Sequence, residues 1–314
     1  MSNPLISIVI PVFNKELWIR ESLRSVFNQS YLNWECVIVN DGSTDESLNK
    51  ITSFVEKYPA NWRVLTIENS GQTFARNYGI QVSKGEYVSF LDADDLWHPN
   101  KLKAQIESFM SDSKLELVFT PYVIFSENQS KGFRVVKNTD PESLVSGWLT
   151  MRGFGGLIES TGMIKKSTLI DVDCFSPALS MSSGLDLSLR VVRSRKSLVT
   201  PLPMVFYRLS DGQFHKNLDA LVCDLEVVRL AHSFTPESLK KLTGFHNNYL
   251  YWANVRTLGK SHFLKGVLSA FLLLDISKLT TLYFLVTRNL VALLRGFYRR
   301  SEIQALIQTH GARP

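Results

Sequence analysis

Over the first hundred residues, short unbroken apolar runs alternate with stretches in which apolar positions recur every three or four residues. Leu5 to Val12 and Trp34 to Val39 are short and rich in β-branched residues, so both read as buried strands. Between them Ile19, Leu23, Val26 and Phe27 share one helical face, while Glu16, Arg20 and Arg24 lie on others. The pattern then repeats. Ser43 or Thr44 is placed to cap a helix through Ile51 and Val55, Arg63 to Ile67 is a strand, Thr73 to Val82 a helix, and Tyr87 to Leu91 a strand. This alternation predicts an α/β fold with a Rossmann-like, mostly parallel sheet and helices on both faces.

Ligands of such sheets bind beyond the carboxyl ends of the strands. Here those ends read Phe13-Asn14, Asn40-Asp41-Gly42-Ser43 and Asp92-Ala93-Asp94-Asp95, and they converge on one edge. Beyond Pro99 the pattern predicts a helix to Met110, strands near Leu115 to Phe125 and Phe133 to Val136, and turns at Gly153, Gly155 and Gly156. After Tyr207 the apolar spacing becomes helical, as at Leu221, Leu225 and Val228. The expected division is a catalytic unit over 1–215 and an α-helical appendage over 216–314, with the boundary near His215.

Composition narrows the class. With 45% hydrophobic and 20% charged residues the chain is neither disordered nor disulfide-stapled. Cys36, Cys174 and Cys223 are widely spaced and form no C-x-x-C pair, which favours a reducing, cytoplasmic setting without structural zinc. Lys15 breaks the apolar start, so no signal peptide is expected. The apolar region from Phe263 to Leu294 is interrupted by Lys265, Asp275, Lys278 and Arg288, well short of the ~18 uncharged residues of a spanning helix. The net charge of +6 comes with no recognisable nucleic-acid reading element, so nucleic acid is not the expected partner. Between Lys240 and Arg300 basic residues are interleaved with Trp252, Phe263, Phe271, Phe284 and Phe297. That pattern fits a peripheral helix pair on anionic lipid at the inner face of a membrane, and ordinary helix packing explains it equally.

Asp92-Ala93-Asp94 carries the strongest local chemistry. At the end of an extended segment, residues two apart point to the same side, so the two carboxylates are placed to share one ligand, with Ala93 leaving room for it. The same residues also read as a solvated acidic turn in which Asp95 caps the helix opened by Pro99. Two other motifs fail. Gly259-Lys260-Ser261 has Asn254 where a P-loop needs its first glycine, and no G-x-G-x-x-G follows the first strand.

Taken in order, Ser7-Ile8-Val9-Ile10-Pro11-Val12-Phe13-Asn14, Val39-Asn40-Asp41-Gly42-Ser43-Thr44-Asp45, Asn69-Ser70-Gly71, Ala75-Arg76-Asn77, Gly85-Glu86-Tyr87 and Leu91-Asp92-Ala93-Asp94-Asp95 resemble family 2 of the glycosyltransferases, over roughly residues 5–210. The resemblance implies a GT-A fold, a nucleotide-diphosphate sugar donor, Mg²⁺ or Mn²⁺, and transfer with inversion. The acceptor would be a hydroxyl on a glycan or lipid-linked acceptor, in cell-surface polysaccharide or lipopolysaccharide assembly. By position, Pro11 and Phe13 would line the nucleobase pocket beside Asn14, and Asp41 would bind the base. Asp92 would meet the ribose or diphosphate with Arg76 and Ala93 in the donor motifs, and Asp94 would bind the metal. Phe13 stands where tyrosine is common, which keeps stacking and loses a hydroxyl.

The same resemblance supplies a general base from a Gly-Glu-Asp segment. Here that stretch is similar to Gly184-Leu185-Asp186, with Asp186 as base and Leu185 in place of glutamate; Asp186 also suits a helix-capping role. Arg190 reads as structural. Glu159 falls along the acceptor cleft, and Arg208 and His215 fall in a loop over the donor diphosphate, with His215 a candidate metal or phosphate ligand. Two alternatives are a non-catalytic nucleotide-sugar-binding module on a decayed GT-A scaffold and a sugar nucleotidyltransferase. The latter lacks a glycine-rich basic loop after its first strand.

Overall fold

The computed structural model describes residues 3–126, 134–136, 158–179, 182–209 and 228. Strands β1 (Ile6–Val12), β2 (Trp34–Asp41), β3 (Trp62–Ile67) and β4 (Tyr87–Phe90) are joined by helices α1 (Ile19–Phe27), α2 (Ser47–Lys57) and α3 (Gln72–Val82). After the short β5 (Leu96–Trp97) come α4 (Lys101–Ser111), β6 (Leu117–Phe119), β7 (Tyr122–Ser126), β8 (Arg134–Val136) and α5 (Ile158–Thr161). The remaining elements are β9 (Met163–Lys165), α6 (Lys166–Asp171), α7 (Ser183–Ser194), β10 (Ser197–Val199) and β11 (Val205–Leu209).

The main sheet has the order β10-β6-β9-β4-β1-β2-β3, and only β9 runs antiparallel to its neighbours. Every residue of β1 and β2 is buried, as expected of strands covered on both faces. The pleat divides β1 between two cores. Ile6, Ile8 and Ile10 pack with Ile19, Leu23, Ile51 and Leu102 on one side, and Val9 packs with Ile80 and Leu187 on the other. Helices therefore cover both faces, as the apolar periodicity predicts. Pro11 is tolerated in this central strand because the pairing of β1 with β4 has ended at Val9.

A second sheet, ordered β5-β11-β7-β8, was not expected. The single strand anticipated over Leu115 to Phe125 is two. The chain pairs with β10 through Phe119, breaks at Thr120-Pro121, and joins β11 from Tyr122. Pro121 has no N–H to continue a ladder, and the Thr120 hydroxyl anchors the crossing by bonding the Leu202 carbonyl at 3.0 Å.

Two capping expectations are corrected. Helix α2 begins at Ser47, and Asp45 accepts the Ser47 N–H at 2.9 Å; Ser43 and Thr44 instead hold Asn14. Asp95 caps no helix, because β5 intervenes before α4 and its carboxylate is engaged elsewhere. Among the described residues no helix is long and apolar enough to cross a membrane. His215, the boundary placed there, the appendage save Val228, and the basic tail lie outside the described residues.

Candidate active site

Strand β1 has β2 on one side and β4 on the other, while the chain runs β1, β2, β3 outward before returning to β4. The β1/β4 seam is thus a topological switch point, where the loops after two neighbouring strands diverge and leave a crevice. Lys15, after β1, spans it. Its ammonium lies 2.6 Å from Asp94 Oδ2, after β4.

Residues 92–95 form a turn closed by the Asp95 N–H on the Asp92 carbonyl at 2.9 Å. The alternation expected of an extended Asp92-Ala93-Asp94 therefore does not apply, and the two aspartates are held by different cations. Asp92 Oδ1 accepts from Arg76 at 2.7 Å and from Gln72 at 3.1 Å, whereas Asp94 pairs with Lys15. Ala93 is buried, and its carbonyl accepts from the Ser22 hydroxyl of α1 at 2.9 Å. Burial raises the Asp94 carboxyl above its ordinary pKa, with Lys15 opposing and Asp92 reinforcing the shift. Asp95 is raised further, by burial first and then by Asp94 and Asp92. It accepts from the Ser160 hydroxyl at 2.5 Å and the Arg208 N–H at 3.1 Å.

The other residues expected at the strand ends lie at the ends of β1 and β2. Phe13 is 44% exposed just beyond the end of β1, while Pro11 is buried within the strand. Asn14 has a left-handed backbone (φ 51°), fixed by its side-chain oxygen on the Thr44 N–H at 2.8 Å. Asp41 is buried and accepts the N–H groups of Ser70 at 2.7 Å and Gly71 at 3.0 Å. It fastens the end of β2 to the loop before α3. Gly71 has φ 90°, a conformation that suits glycine alone.

Arg208 lies in β11, not in a loop over the site. Its Nε donates to the Asp94 carbonyl at 2.8 Å, NH2 pairs with Glu21 at 2.6 Å, and its guanidinium stacks on Phe125. It braces the acidic turn from below.

Arg76 connects the turn to α5. Its guanidinium is buried between Asp92 and Glu159, whose Oε1 lies 3.6 Å from NH1. Burial alone would lower the pKa of Arg76, but Asp92 and Glu159 outweigh it and raise it. Glu159 is itself raised, by burial first and Asp92 after, with Arg76 opposing. Glu159 Oε2 and Arg76 Nε have no hydrogen-bond partner among the described residues. The Glu159 carboxylate also lies against Gly184 in the first turn of α7, where any Cβ would overlap it.

Asp186, two residues on, is buried and engaged by Arg190 through Nε at 2.9 Å and NH2 at 2.6 Å. Arg190 also donates to the carbonyls of Val172 and Cys174. The structural role expected of Arg190 is therefore shared with Asp186.

The site thus gathers Arg76, Asp92, Asp94, Arg208 and Glu159 around one turn, with Phe13 and Asn14 on the segment that leads to Lys15 and Asp41 holding the loop before α3. Sequence reasoning missed Lys15, Glu21, Ser22 and Ser160. Lys15 had a signal, as a cation just beyond the first strand. Ser160, whose Oγ also accepts the Asp92 N–H at 3.1 Å, had none.

The donor set suits a hard divalent cation. No three metal-ligating side chains cluster among the described residues, but Mg²⁺-type ions are commonly held by one or two carboxylates together with substrate phosphates. The raised, crowded carboxylates of Asp94 and Asp95 would be relieved by added positive charge.

Residues 7–156 match the sequence model of Glycosyl transferase family 2. A Haemophilus influenzae protein named as an uncharacterized glycosyltransferase is 36% identical over 149 residues, covering 47% of this chain and 59% of that one. The Escherichia coli UDP-Glc:alpha-D-GlcNAc-diphosphoundecaprenol beta-1,3-glucosyltransferase WfgD is 35% identical over 133 residues, covering 42% of this chain and 51% of its own. The chain thus spans little more than half the length of these curated relatives. In fold it is similar to the mannosyltransferase PcManGT from Pyrobaculum calidifontis, solved with GDP-Man and Mn²⁺. The TM-score is 0.60 at 16% identity, over 97% of this chain and 85% of that one. Over residues 7–156, therefore, the chain matches family 2 of the glycosyltransferases, and its sheet has the GT-A fold.

Proposed function

We propose that this protein is an inverting glycosyltransferase that moves a sugar from a nucleoside-diphosphate donor to a hydroxyl of a glycan or lipid-linked acceptor, in cell-surface polysaccharide assembly. The observation that carries the reading is the Lys15–Asp94 pair across the β1/β4 switch point, set among crowded carboxylates. Asp94 is the residue to hold Mg²⁺ or Mn²⁺, with His215 as a candidate second ligand. When bound, such a cation would neutralise the diphosphate as it leaves.

The chain's own residues do the rest. Phe13, exposed at the strand end, offers a face on which a nucleobase can stack, and Asp41 holds the adjoining loop in place. Asp92, held by Arg76, is the residue to meet the ribose or diphosphate. Arg208 keeps the Asp94 backbone fixed, so that the carboxylate is pre-organised. A single displacement also needs a general base, and two buried carboxylates compete for that role: Asp186, as the resemblance implies, and Glu159.

The acceptor class follows the family and WfgD, whose name gives its acceptor as alpha-D-GlcNAc-diphosphoundecaprenol. The basic, aromatic stretch between Lys240 and Arg300 suits contact with anionic lipid at the cytoplasmic face of a membrane, near such an acceptor. Flotation with anionic vesicles at low salt tests this, and absence of binding removes the membrane contact. The test of the main reading is calorimetric binding of UDP-, GDP- and dTDP-sugars with and without Mn²⁺. Saturable, metal-dependent binding with release of nucleoside diphosphate supports it. Binding without any turnover favours a decayed binding module, a reading that Leu185 beside Asp186 keeps in view.

A further inference from the structure

We propose that Glu159, rather than Asp186, takes the proton from the acceptor hydroxyl; this rests on the glycosyltransferase reading above. The two carboxylates are equally buried but differently committed. Asp186 Oδ2 accepts two hydrogen bonds from Arg190, which also ties the carbonyls of Val172 and Cys174 to α7. Withdrawing that carboxylate for proton transfer would break the tie.

Glu159 is placed otherwise. Its Oε1 lies 3.6 Å from Arg76 Nη1, beyond hydrogen-bond distance, and its Oε2 has no hydrogen-bond partner among the described residues. A buried carboxylate oxygen without a donor is costly, and persists where a substrate group is to supply the missing bond. The residue is also registered to the donor side. The adjoining Ser160 hydroxyl accepts the Asp92 N–H and donates to Asp95, and Arg76 bridges Glu159 to Asp92.

Gly184 completes the arrangement. The Glu159 carboxylate fills the volume that a side chain at 184 would take at the first turn of α7. A carboxylate there is reached from α5 across to α7 instead of from α7 itself, and the bare glycine is what permits it.

The step balances simply. The acceptor O–H bond breaks as its proton passes to Glu159 Oε2, and the acceptor oxygen bonds to the anomeric carbon. The bond from that carbon to the diphosphate oxygen breaks, and its electron pair leaves with the nucleoside diphosphate. Glu159 returns its proton to solvent after product release.

The test uses the full chain, Mn²⁺, and whichever of UDP-Glc, UDP-GlcNAc or GDP-Man binds the wild type, with water as acceptor and diphosphate release as readout. Glu159→Gln is expected to lower hydrolysis by about 100-fold or more, the scale of a lost general base, while donor Kd stays within about threefold. Glu159→Ala should behave alike, and adding Gly184→Asp to it should restore about tenfold or more, by returning a carboxylate to the same volume from the other element. Folded Asp186→Asn is expected to keep hydrolysis within about tenfold of wild type. The proposal is overturned if Glu159→Gln hydrolyses donor like the wild type. It is also overturned if its loss is one of donor affinity, which would make Glu159 only a positioning residue for Arg76. Failure of the wild type to bind any of the three donors would sink the transferase reading itself, a result separate from either.

Discussion

Lys15 holds the carboxylate proposed to take a divalent cation, so on that proposal the two cations would compete for Asp94. Lys15→Met should raise Mn²⁺ affinity by about tenfold, since no ammonium then has to be displaced. It should also lower the metal-free stability by about 1–2 kcal/mol, a value reduced because the lysine is partly exposed. Calorimetry and thermal melting with and without Mn²⁺ read both effects, and an unchanged affinity would place the metal elsewhere. Gly184→Ala alone should cost about 1–3 kcal/mol, because its Cβ would overlap the Glu159 carboxylate. A denaturant midpoint equal to wild type would mean that Glu159 moves aside freely. At this scale the sequence pointed to candidate acids but not to whom they touch. Asp92 and Asp94 stood out at a strand end, yet their separate partners depend on a turn. The Lys15–Asp94 contact joins residues 79 apart in the chain. No spacing rule reaches that far.

Helix α4 carries a buried lysine that the proposed chemistry does not use. Lys101 Nζ donates to Ser89 Oγ at 2.9 Å and Gln105 Oε1 at 2.8 Å, and sits 3.9 Å above the centre of the Trp97 ring. Burial pushes its pKa well below the ordinary lysine value. Between that depressed value and about 10.4 the unfolded chain binds a proton that the folded chain does not, so stability should rise with pH across that window. Below it both states are protonated, and the full penalty of the buried charge applies. Lys101→Met should flatten this slope in denaturation curves taken from about pH 6 to 10, although it strips Gln105 Oε1 of a donor. A slope equal to wild type would show that Lys101 is not the titrating group. The elements themselves were legible in proportion to their length. Strands β1 to β4 and helices α1 to α4 fall within a few residues of their expected bounds, since each carries a full apolar period. Three-residue β8 matches the strand expected over Phe133 to Val136, but two-residue β5 was not expected, and the sheet that holds both is set by tertiary pairing.

Across the whole molecule, seven strands with β9 reversed place the loops after β1, β2 and β4 along one edge, and the acidic turn at the β1/β4 seam. That placement was readable from the order of apolar runs alone, because right-handed crossovers leave few ways to stack such units. The placement of Glu159, the proposed base, was not. It depends on α5 meeting α7 at Gly184, between segments of no distinctive pattern. The central claim is that Asp94 couples a divalent cation to a nucleotide-sugar donor. It is tested most directly by calorimetric titration of UDP-Glc, UDP-GlcNAc and GDP-Man into wild type and Asp94→Ala, each with Mn²⁺ and with EDTA. The account predicts saturable binding of at least one donor by the wild type only with Mn²⁺, weakened by about 100-fold or more in a folded Asp94→Ala. Metal-independent binding that survives in Asp94→Ala would contradict it.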